Sequence, residues 1–122
     1  ITKVFNSEKK IIVWGKGEEK KDLLYVNDLV EFVNLAIKNQ KENFELMNCG
    51  FGKAIKIKEL VTKIIKHSGK NLDVEYDEKR PTVYSSLSLN SDYALEKIGW
   101  KPKTDIDIGI KKTIDWYIKN YL

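Results

Sequence analysis

The sequence predicts an α/β or α+β fold in which helices cover a small mixed sheet. Short apolar segments of strand length alternate with segments whose apolar residues recur every three or four positions, which is the period of a helix. Glycines and prolines stand between these segments, where the chain has to turn. With 122 residues, of which 42% are hydrophobic and 33% charged, the chain has the size and balance of a single domain spanning residues 1–122.

In the first half of the chain we expect a short helix over residues 1–8, a strand over 11–14 and a second short strand at Leu23–Val26. Asp28 follows at a position where its carboxylate can cap a helix, by accepting hydrogen bonds from the free amides of the first turn. The apolar residues of that helix have the helical spacing and predict one continuous buried stripe: Leu29, Phe32, Val33, Ala36 and Ile37. A further strand is expected at Phe44–Asn48, before a glycine-rich turn.

The second half begins with a helix that carries apolar residues from Ile57 to Ile65. It is expected to end at Gly69, because glycine readily adopts the left-handed conformation of a helix end. Leu72–Tyr76 alternates apolar and polar residues, as a half-exposed strand does.

Arg80 and the proline after it begin an extended segment. Ser91 can then cap a brief helix that ends at Gly99, and a last helix is expected over residues 106–121. Three or four short strands are few for an independent doubly wound domain. We therefore expect a lobe that docks on a larger body.

The charge, the hydropathy and the cysteine content argue against several classes of protein. The net charge of +4 comes from 22 basic and 18 acidic residues, and the lysines are spread along the whole chain, so no nucleic-acid partner is expected. No apolar run is long enough to cross a membrane, and no group of residues has the spacing of metal ligands. A single cysteine cannot form an internal disulfide, which indicates a reducing, cytoplasmic location.

The residues after the first predicted strand carry most of the functional information. Trp14 precedes a Gly-x-Gly turn, and Lys21, Asp22 and Tyr25 follow it closely. A lone Gly-x-Gly is usually only a turn, and the third glycine of a dinucleotide fingerprint is absent. Arg80 is the only arginine among the 22 basic residues, and its planar guanidinium is suited to binding two phosphate oxygens at once.

These residues resemble the substrate-binding half of extended short-chain dehydrogenases/reductases, that is, nucleotide-sugar epimerases and dehydratases and GDP-fucose-synthase-like enzymes. The family pattern is aromatic-Gly-x-Gly, then Arg-Asp, then Tyr or His, Val, any residue and Asp. The chain matches it at Trp14, Gly15, Gly17, Asp22, Tyr25, Val26 and Asp28. The family's closing Leu-Gly-Trp-x-Pro corresponds to residues 98–102, whereas Leu87, Asn90 and Tyr93 depart from the pattern before it.

The resemblance implies that the chain is the C-terminal, substrate-binding portion of a Rossmann-type enzyme, and that the NAD(P)-binding Rossmann domain is absent from it. In this family Lys21, at the position of an arginine, and Arg80 would hold the substrate diphosphate. Trp14 would lie against the nucleobase, and Tyr25, at the motif's Tyr or His position, would also bind the substrate. A solvated Lys21 and a buried Trp14 are the alternatives. Trp100 is expected to pack in the core.

The parent protein would then be an NAD(P)-dependent nucleotide-sugar epimerase, dehydratase or reductase. The chain alone would be inactive, with no catalytic residue and no bound cofactor. The alternative is a stand-alone binding or interaction module, which predicts a polar surface where the other half would dock. The sequence names neither the sugar, the base nor the reaction, and it leaves a homodimer of the parent open. A start at Ile1, inside an amphipathic pattern, is typical of a cut through a longer protein, and the sequence leaves open whether the chain is a natural short product or a proteolytic fragment.

Overall fold

The computed structural model describes residues 1–83 and 85–122. Helices and strands are interspersed along the chain, as the sequence predicts. Their order is α1 (Thr2–Phe5), β1 (Lys10–Trp14), β2 (Lys20–Asp22), α2 (Val26–Asn39), β3 (Ala54–Lys56), α3 (Ile57–Ser68), β4 (Asp73–Asp77), α4 (Asp92–Ile98) and α5 (Ile106–Tyr121).

The strands pair in both the parallel and the antiparallel sense, and helices pack beside them, which confirms the α/β class. β1 and β4 are parallel, with Ile11 opposite Val74 and Val13 opposite Tyr76. β2 and β3 are antiparallel, with Lys21 opposite Ile55. Within the described residues these pairs form two separate two-stranded sheets, one of each sense, in place of the single mixed sheet that was expected.

Two clusters of buried side chains hold the elements together. The first lies between the β1/β4 sheet and α3, and its buried residues are Val4, Ile11 and Leu72. The second lies between α2 and α4, and its buried residues are Ala94, Ile98 and Trp100. Partly buried residues extend the second cluster, among them Phe32 and Ala36 of α2. The expectation that Trp100 packs in the core is confirmed, since only 1% of its surface is exposed.

The strand predicted at Leu23–Val26 is wrong. The strand lies earlier, at Lys20–Asp22, and α2 already begins at Val26. The error has a physical cause: the paired residues are two lysines and an aspartate, whose low strand propensity hid them, whereas the apolar residues 23–25 only connect the two elements. The short strand at Ala54–Lys56 was also not predicted.

Asp28 does not cap α2, because the helix begins two residues before it. Asp28 lies in the first turn and is buried, with 4% of its surface exposed. Its Oδ2 accepts hydrogen bonds from the backbone amides of Lys103 (3.1 Å) and Thr104 (2.9 Å), and its Oδ1 accepts one from the Thr104 hydroxyl (2.9 Å). The indole nitrogen of Trp100 donates to the Asp28 carbonyl oxygen at 2.9 Å. Asp28 therefore fixes the connection between α4 and α5 onto α2.

The continuous buried stripe predicted on α2 is also wrong. Phe32 and Ala36 pack against the second core, but one side of the helix is uncovered. We call this side the open apolar face of α2; its residues, spaced to share one side of a helix, are Val26 (59% exposed), Leu29 (44%), Val30 (52%), Val33 (45%) and Ile37 (78%).

The strand predicted at Phe44–Asn48 is not formed: the segment has no strand partner among the described residues. Phe44 and Leu46, which would share one side of a strand, are 79% and 80% exposed. The sequence pattern of a strand is present, but a strand needs a neighbour, and the described part of the chain supplies none.

The later elements largely confirm the sequence analysis. α3 ends at Gly69 and α4 at Gly99, both left-handed with φ near 71° and 72°. β4 and α5 lie within a residue of their predicted bounds. Ser91 stands at the start of α4 but makes no capping bond there; its hydroxyl instead joins the backbone of Gly50, accepting from its amide at 3.0 Å and donating to its carbonyl at 3.1 Å. In the part of the chain that is described, no helix combines the length and the apolar character of a membrane span.

Candidate functional site

A cavity of about 480 Å³ lies between β1, β2 and the N-terminal half of α3. Its walls are mostly apolar and come from the first core. Polar and aromatic side chains interrupt them where β1 and β2 meet the segment after Arg80. The residues lining that side are Trp14, Glu19, Lys21, Thr82 and Val83.

Two of the predicted site residues, Trp14 and Lys21, line this same cavity. Trp14 is the last residue of β1, and 52% of its surface is exposed, so it is not the buried core residue that the alternative required. Lys21 lies in the middle of β2, and its Nζ donates a hydrogen bond to Ser85 Oγ at 2.6 Å. One cavity is therefore lined both by an aromatic residue and by a lysine whose ammonium group is bonded to Ser85.

Arg80 lies on Trp14 but outside this cavity. Its guanidinium carbon is 5.3 Å from the centre of the indole ring, and its Nε is 3.4 Å from Asp77 Oδ2. Lys3 also approaches the ring, with Nζ 5.8 Å from its centre. A neighbouring cavity of about 370 Å³ is lined by Lys3, Trp14 and Arg80 among others. The indole is thus a wall shared by the two cavities, with Lys21 on one of them and Arg80 on the other.

The structure does not bring Tyr25 to this place. Tyr25 lines a third cavity, of about 340 Å³, with residues of α3 and α5. Its ring lies next to Gly109, where an added Cβ would be 3.5 Å from the Tyr25 ring, and Lys112 Nζ is 5.4 Å from the ring centre. The linings of the first and third cavities share Ile1 and Ile64. The proposed substrate contact of Tyr25 stays a prediction.

The turn between β1 and β2 depends on glycine. Gly15 and Gly17 have φ of 72° and 66°, a conformation that other residues rarely adopt. A Cβ at Gly15 would lie 2.4 Å from Thr82 Cγ2, and one at Gly17 would lie 2.8 Å from a ring carbon of Tyr76. Gly15 therefore lets the segment after Arg80 lie directly against the turn, next to Trp14, and Gly17 lets Tyr76 of β4 approach it.

Glu18 ties the same turn to the junction of β3 and α3. Its two carboxylate oxygens accept hydrogen bonds from Lys56 Nζ at 2.7 Å and Lys58 Nζ at 2.5 Å. The hydrogen bond from Lys56, and then the one from Lys58, lower the pKa of Glu18 from 4.5 to about 2. The ionised form of this carboxylate is therefore favoured in the folded protein.

We expect Glu18→Gln to remove part of the acid sensitivity of the fold. A carboxyl whose pKa is lower in the folded state stabilises that state above its unfolded pKa, and this contribution is lost as the pH falls from about 4.5 towards 2. Circular dichroism between pH 6 and pH 2 should show a shallower loss of stability for the variant than for the wild type. Glu8→Gln, at an exposed glutamate, is the control. Identical acid transitions for wild type and Glu18→Gln would contradict the assignment.

Asp22 has a structural role that sequence reasoning missed. Its carboxylate accepts three backbone hydrogen bonds, from Phe51 and Gly52 at 3.0 Å and from Leu89 at 2.9 Å. It thereby joins the glycine-rich turn after position 48 to the segment before α4. Asp22 matches the family pattern, so the sequence marks its position. Its hydrogen-bond donors, however, lie about thirty and nearly seventy positions away, and only the fold brings them together.

A second charged cluster lies between α3 and α5. Asp107 accepts a hydrogen bond from Lys63 Nζ at 2.6 Å, and its other oxygen is 2.8 Å from His67 Nε2. The hydrogen bonds from Lys63 and then from His67 lower the pKa of Asp107. This cluster connects the two helices. Among the described residues, no group of three or more His, Cys, Asp or Glu side chains could hold a metal ion.

Comparison with known proteins places this geometry in a family. The sequence model of GDP-mannose 4,6 dehydratase matches residues 1–113. The chain belongs to the GDP-mannose 4,6 dehydratase family, within the extended short-chain dehydrogenases/reductases. It is 28% identical to GDP-L-colitose synthase of Yersinia pseudotuberculosis over 97% of the chain and 38% of that relative. It is 36% identical to a putative UDP-glucose 4-epimerase of Methanocaldococcus jannaschii over 89% of the chain and 34% of that protein.

Solved structures of the family agree with the fold. The crystal structure of dTDP-glucose 4,6-dehydratase of Bacillus anthracis, in complex with NAD, superimposes with a TM-score of 0.85 at 26% identity, covering 98% of the chain and 38% of that enzyme. The chain thus spans little more than a third of these family members. Their names cover GDP-, UDP- and dTDP-linked sugars, so family membership alone leaves the nucleobase open.

Proposed function

We propose that the chain is the nucleotide-sugar-binding lobe of an NAD(P)-dependent epimerase, dehydratase or reductase. In this proposal Trp14 contacts the nucleobase, and Lys21 and Arg80 bind the diphosphate from the two sides of the indole. The observation that supports it most is the cavity lined by both Trp14 and Lys21, with the Arg80 guanidinium lying on the same ring.

The chemistry of these groups fits the proposed ligand. A half-exposed indole offers a flat surface on which a base can stack, and cations form short, strong hydrogen bonds with phosphate oxygens. The present partner of Arg80 is Asp77 at 3.4 Å, in a pair whose side chains are 57% and 33% exposed. Such exposed ion pairs contribute little to stability, so a diphosphate can replace Asp77 as the partner of the guanidinium.

The open apolar face of α2 supports a lobe over a stand-alone module. A module that functions alone would have a polar surface there, whereas this face presents five apolar side chains, each at least 44% exposed. We infer that this surface docks on a further part of the same polypeptide, which would also supply the NAD or NADP site and the catalytic residues. Turnover of a nucleotide-sugar by the 122-residue chain alone would refute this division.

We expect Arg80→Ala, made in the full-length protein, to weaken nucleotide-sugar binding by about 1.5–3 kcal/mol, the scale of a hydrogen bond to a charged group. Lys21→Ala should also weaken it, and Lys21→Arg should not, because arginine keeps the charge and its planar guanidinium can bond two phosphate oxygens at once. Isothermal titration calorimetry with GDP-, UDP- and dTDP-sugars measures the effect.

Lys41→Ala is the matched control, since Lys41 is exposed and does not line the cavities beside Trp14. It should leave the affinity unchanged. If the double variant lacking both Lys21 and Arg80 charges binds as tightly as the wild type, the two residues do not hold the diphosphate and this assignment is wrong.

A further inference from the structure

The lining of the cavity beside Trp14 includes Glu19, an acidic residue that the proposed function leaves without a role. Glu19 stands directly before β2, two positions from Lys21. Alternate residues of an extended chain project to the same side, so Glu19 and Lys21 share the side that faces the cavity. Lys20, between them, is opposite Lys56 in the β2/β3 sheet and forms an isolated β-bridge with Ser86 through its backbone. The edge of the cavity therefore carries an acidic and a basic residue whose Cα atoms are about 7 Å apart along the strand.

The Glu19 carboxylate differs from its neighbours in having no partner. Glu18 is bonded to two lysines, and Lys21 to Ser85. Across residues 1–83 and 85–122, no hydrogen bond or ion pair is found for the Glu19 side chain; only its backbone oxygen accepts one, from the Ile57 amide at 3.0 Å. The residue is partly buried against a mostly apolar wall. A carboxylate in such a place loses hydration, which a ligand with N–H donors would compensate.

The chemistry of the carboxylate discriminates between nucleobases. An ionised carboxylate only accepts hydrogen bonds, and its two oxygens can accept from two parallel donors. Guanine presents two adjacent donors on one edge, the ring N–H and the amino group. Uracil and thymine present a single N–H between two carbonyl oxygens, which a carboxylate repels. A base lying against Trp14 would therefore be accepted by Glu19 when it is guanine and opposed when it is uracil or thymine.

We propose that Glu19 makes this cavity selective for guanine, so that the ligand of the site is a GDP-linked sugar. The inference rests on the proposed function, because it takes the cavity as the place where the nucleobase binds. It adds the identity of the base, which the family relatives leave open.

The test is calorimetric titration of GDP, UDP and dTDP into the full-length protein and into its Glu19→Gln variant. GDP should bind at least about tenfold more tightly than UDP or dTDP, the lower end of what hydrogen bonds to a charged group contribute. Glutamine keeps the shape but turns one acceptor into a donor. The variant should therefore lose about tenfold in GDP affinity while its UDP affinity stays the same or rises. Glu8→Gln removes the same charge from an exposed glutamate away from the cavity and should change neither affinity.

The outcomes separate the inference from the function on which it rests. Equal affinities for GDP and UDP would overturn guanine selectivity and leave a nucleotide site in place. A GDP preference that survives in Glu19→Gln would overturn the role of Glu19 alone. Failure of all three nucleotides to bind would overturn both the inference and the proposed function.

Discussion

Replacing Trp100 by alanine is expected to lower the free energy of unfolding by about 3–5 kcal/mol, the cost of truncating a large buried aromatic side chain. Trp100 is 1% exposed, and its ring meets that of Phe32 edge-on with 5.2 Å between centroids. Its indole nitrogen also donates to the Asp28 carbonyl at 2.9 Å. Alanine would leave a cavity between α2 and α4 and a buried carbonyl without its donor. Urea unfolding followed by circular dichroism measures the loss.

Trp116→Ala is the matched control for this prediction. It makes the same chemical change on α5, where Trp116 is 56% exposed. Because surface substitutions seldom cost more than about 0.5 kcal/mol, this variant should stay close to the wild type apart from its contact with Tyr121. Equal losses for the two variants would mean that Trp100 does not anchor the second core.

Asp28→Ala is expected to cost about 3 kcal/mol, since it removes the acceptor from three donors at once and each unsatisfied buried group costs about 1–3 kcal/mol. The donors are the amides of Lys103 and Thr104 and the Thr104 hydroxyl. The loss should be smaller than the sum of three penalties, because the connection before α5 can move towards water. Urea unfolding gives the total, and faster hydrogen exchange at the amides of residues 103 and 104 would locate it.

Two further variants sharpen the prediction for Asp28. Asp28→Asn keeps one accepting oxygen and should lose less stability than Asp28→Ala. Asp115→Ala, at an exposed aspartate of α5, removes the same charge and should change stability little. If Asp28→Ala unfolds at the same urea concentration as Asp115→Ala, the buried carboxylate is not what holds the connection to α2.

Elements with a local signal could be predicted from the sequence. α3 and α5 carry long apolar repeats, and α3 ends at a glycine, so neighbouring residues are enough to define them. β2 could not be found in this way, because its residues are charged and it exists only through pairing with β3. The segment Phe44–Asn48 shows the opposite case: the pattern is local, but the strand depends on a partner.

The same distinction between local signals and remote partners applies to the candidate site. Trp14, Lys21 and Arg80 could be named because their residue types and spacing match a family pattern. Their arrangement could not, since it depends on how the segment after Arg80 folds back over Gly15. The family pattern includes Asp22 but does not reveal its structural role, because its three hydrogen-bond donors lie in remote segments of the chain. Tyr25 belongs to the same pattern but lines a different cavity.

The parallel pairing of β1 with β4 has a consequence for how the chain is made. Lys10 and Glu75, which join the two strands, are 65 positions apart. A ribosome adding 5–20 residues per second needs roughly 3–13 s to cover that distance. Throughout this interval the nascent β1 lacks its neighbour, and Ile11, which is 5% exposed once folded, has no β4 strand to pair with. Pauses in translation between these strands would lengthen the period in which the chain can aggregate.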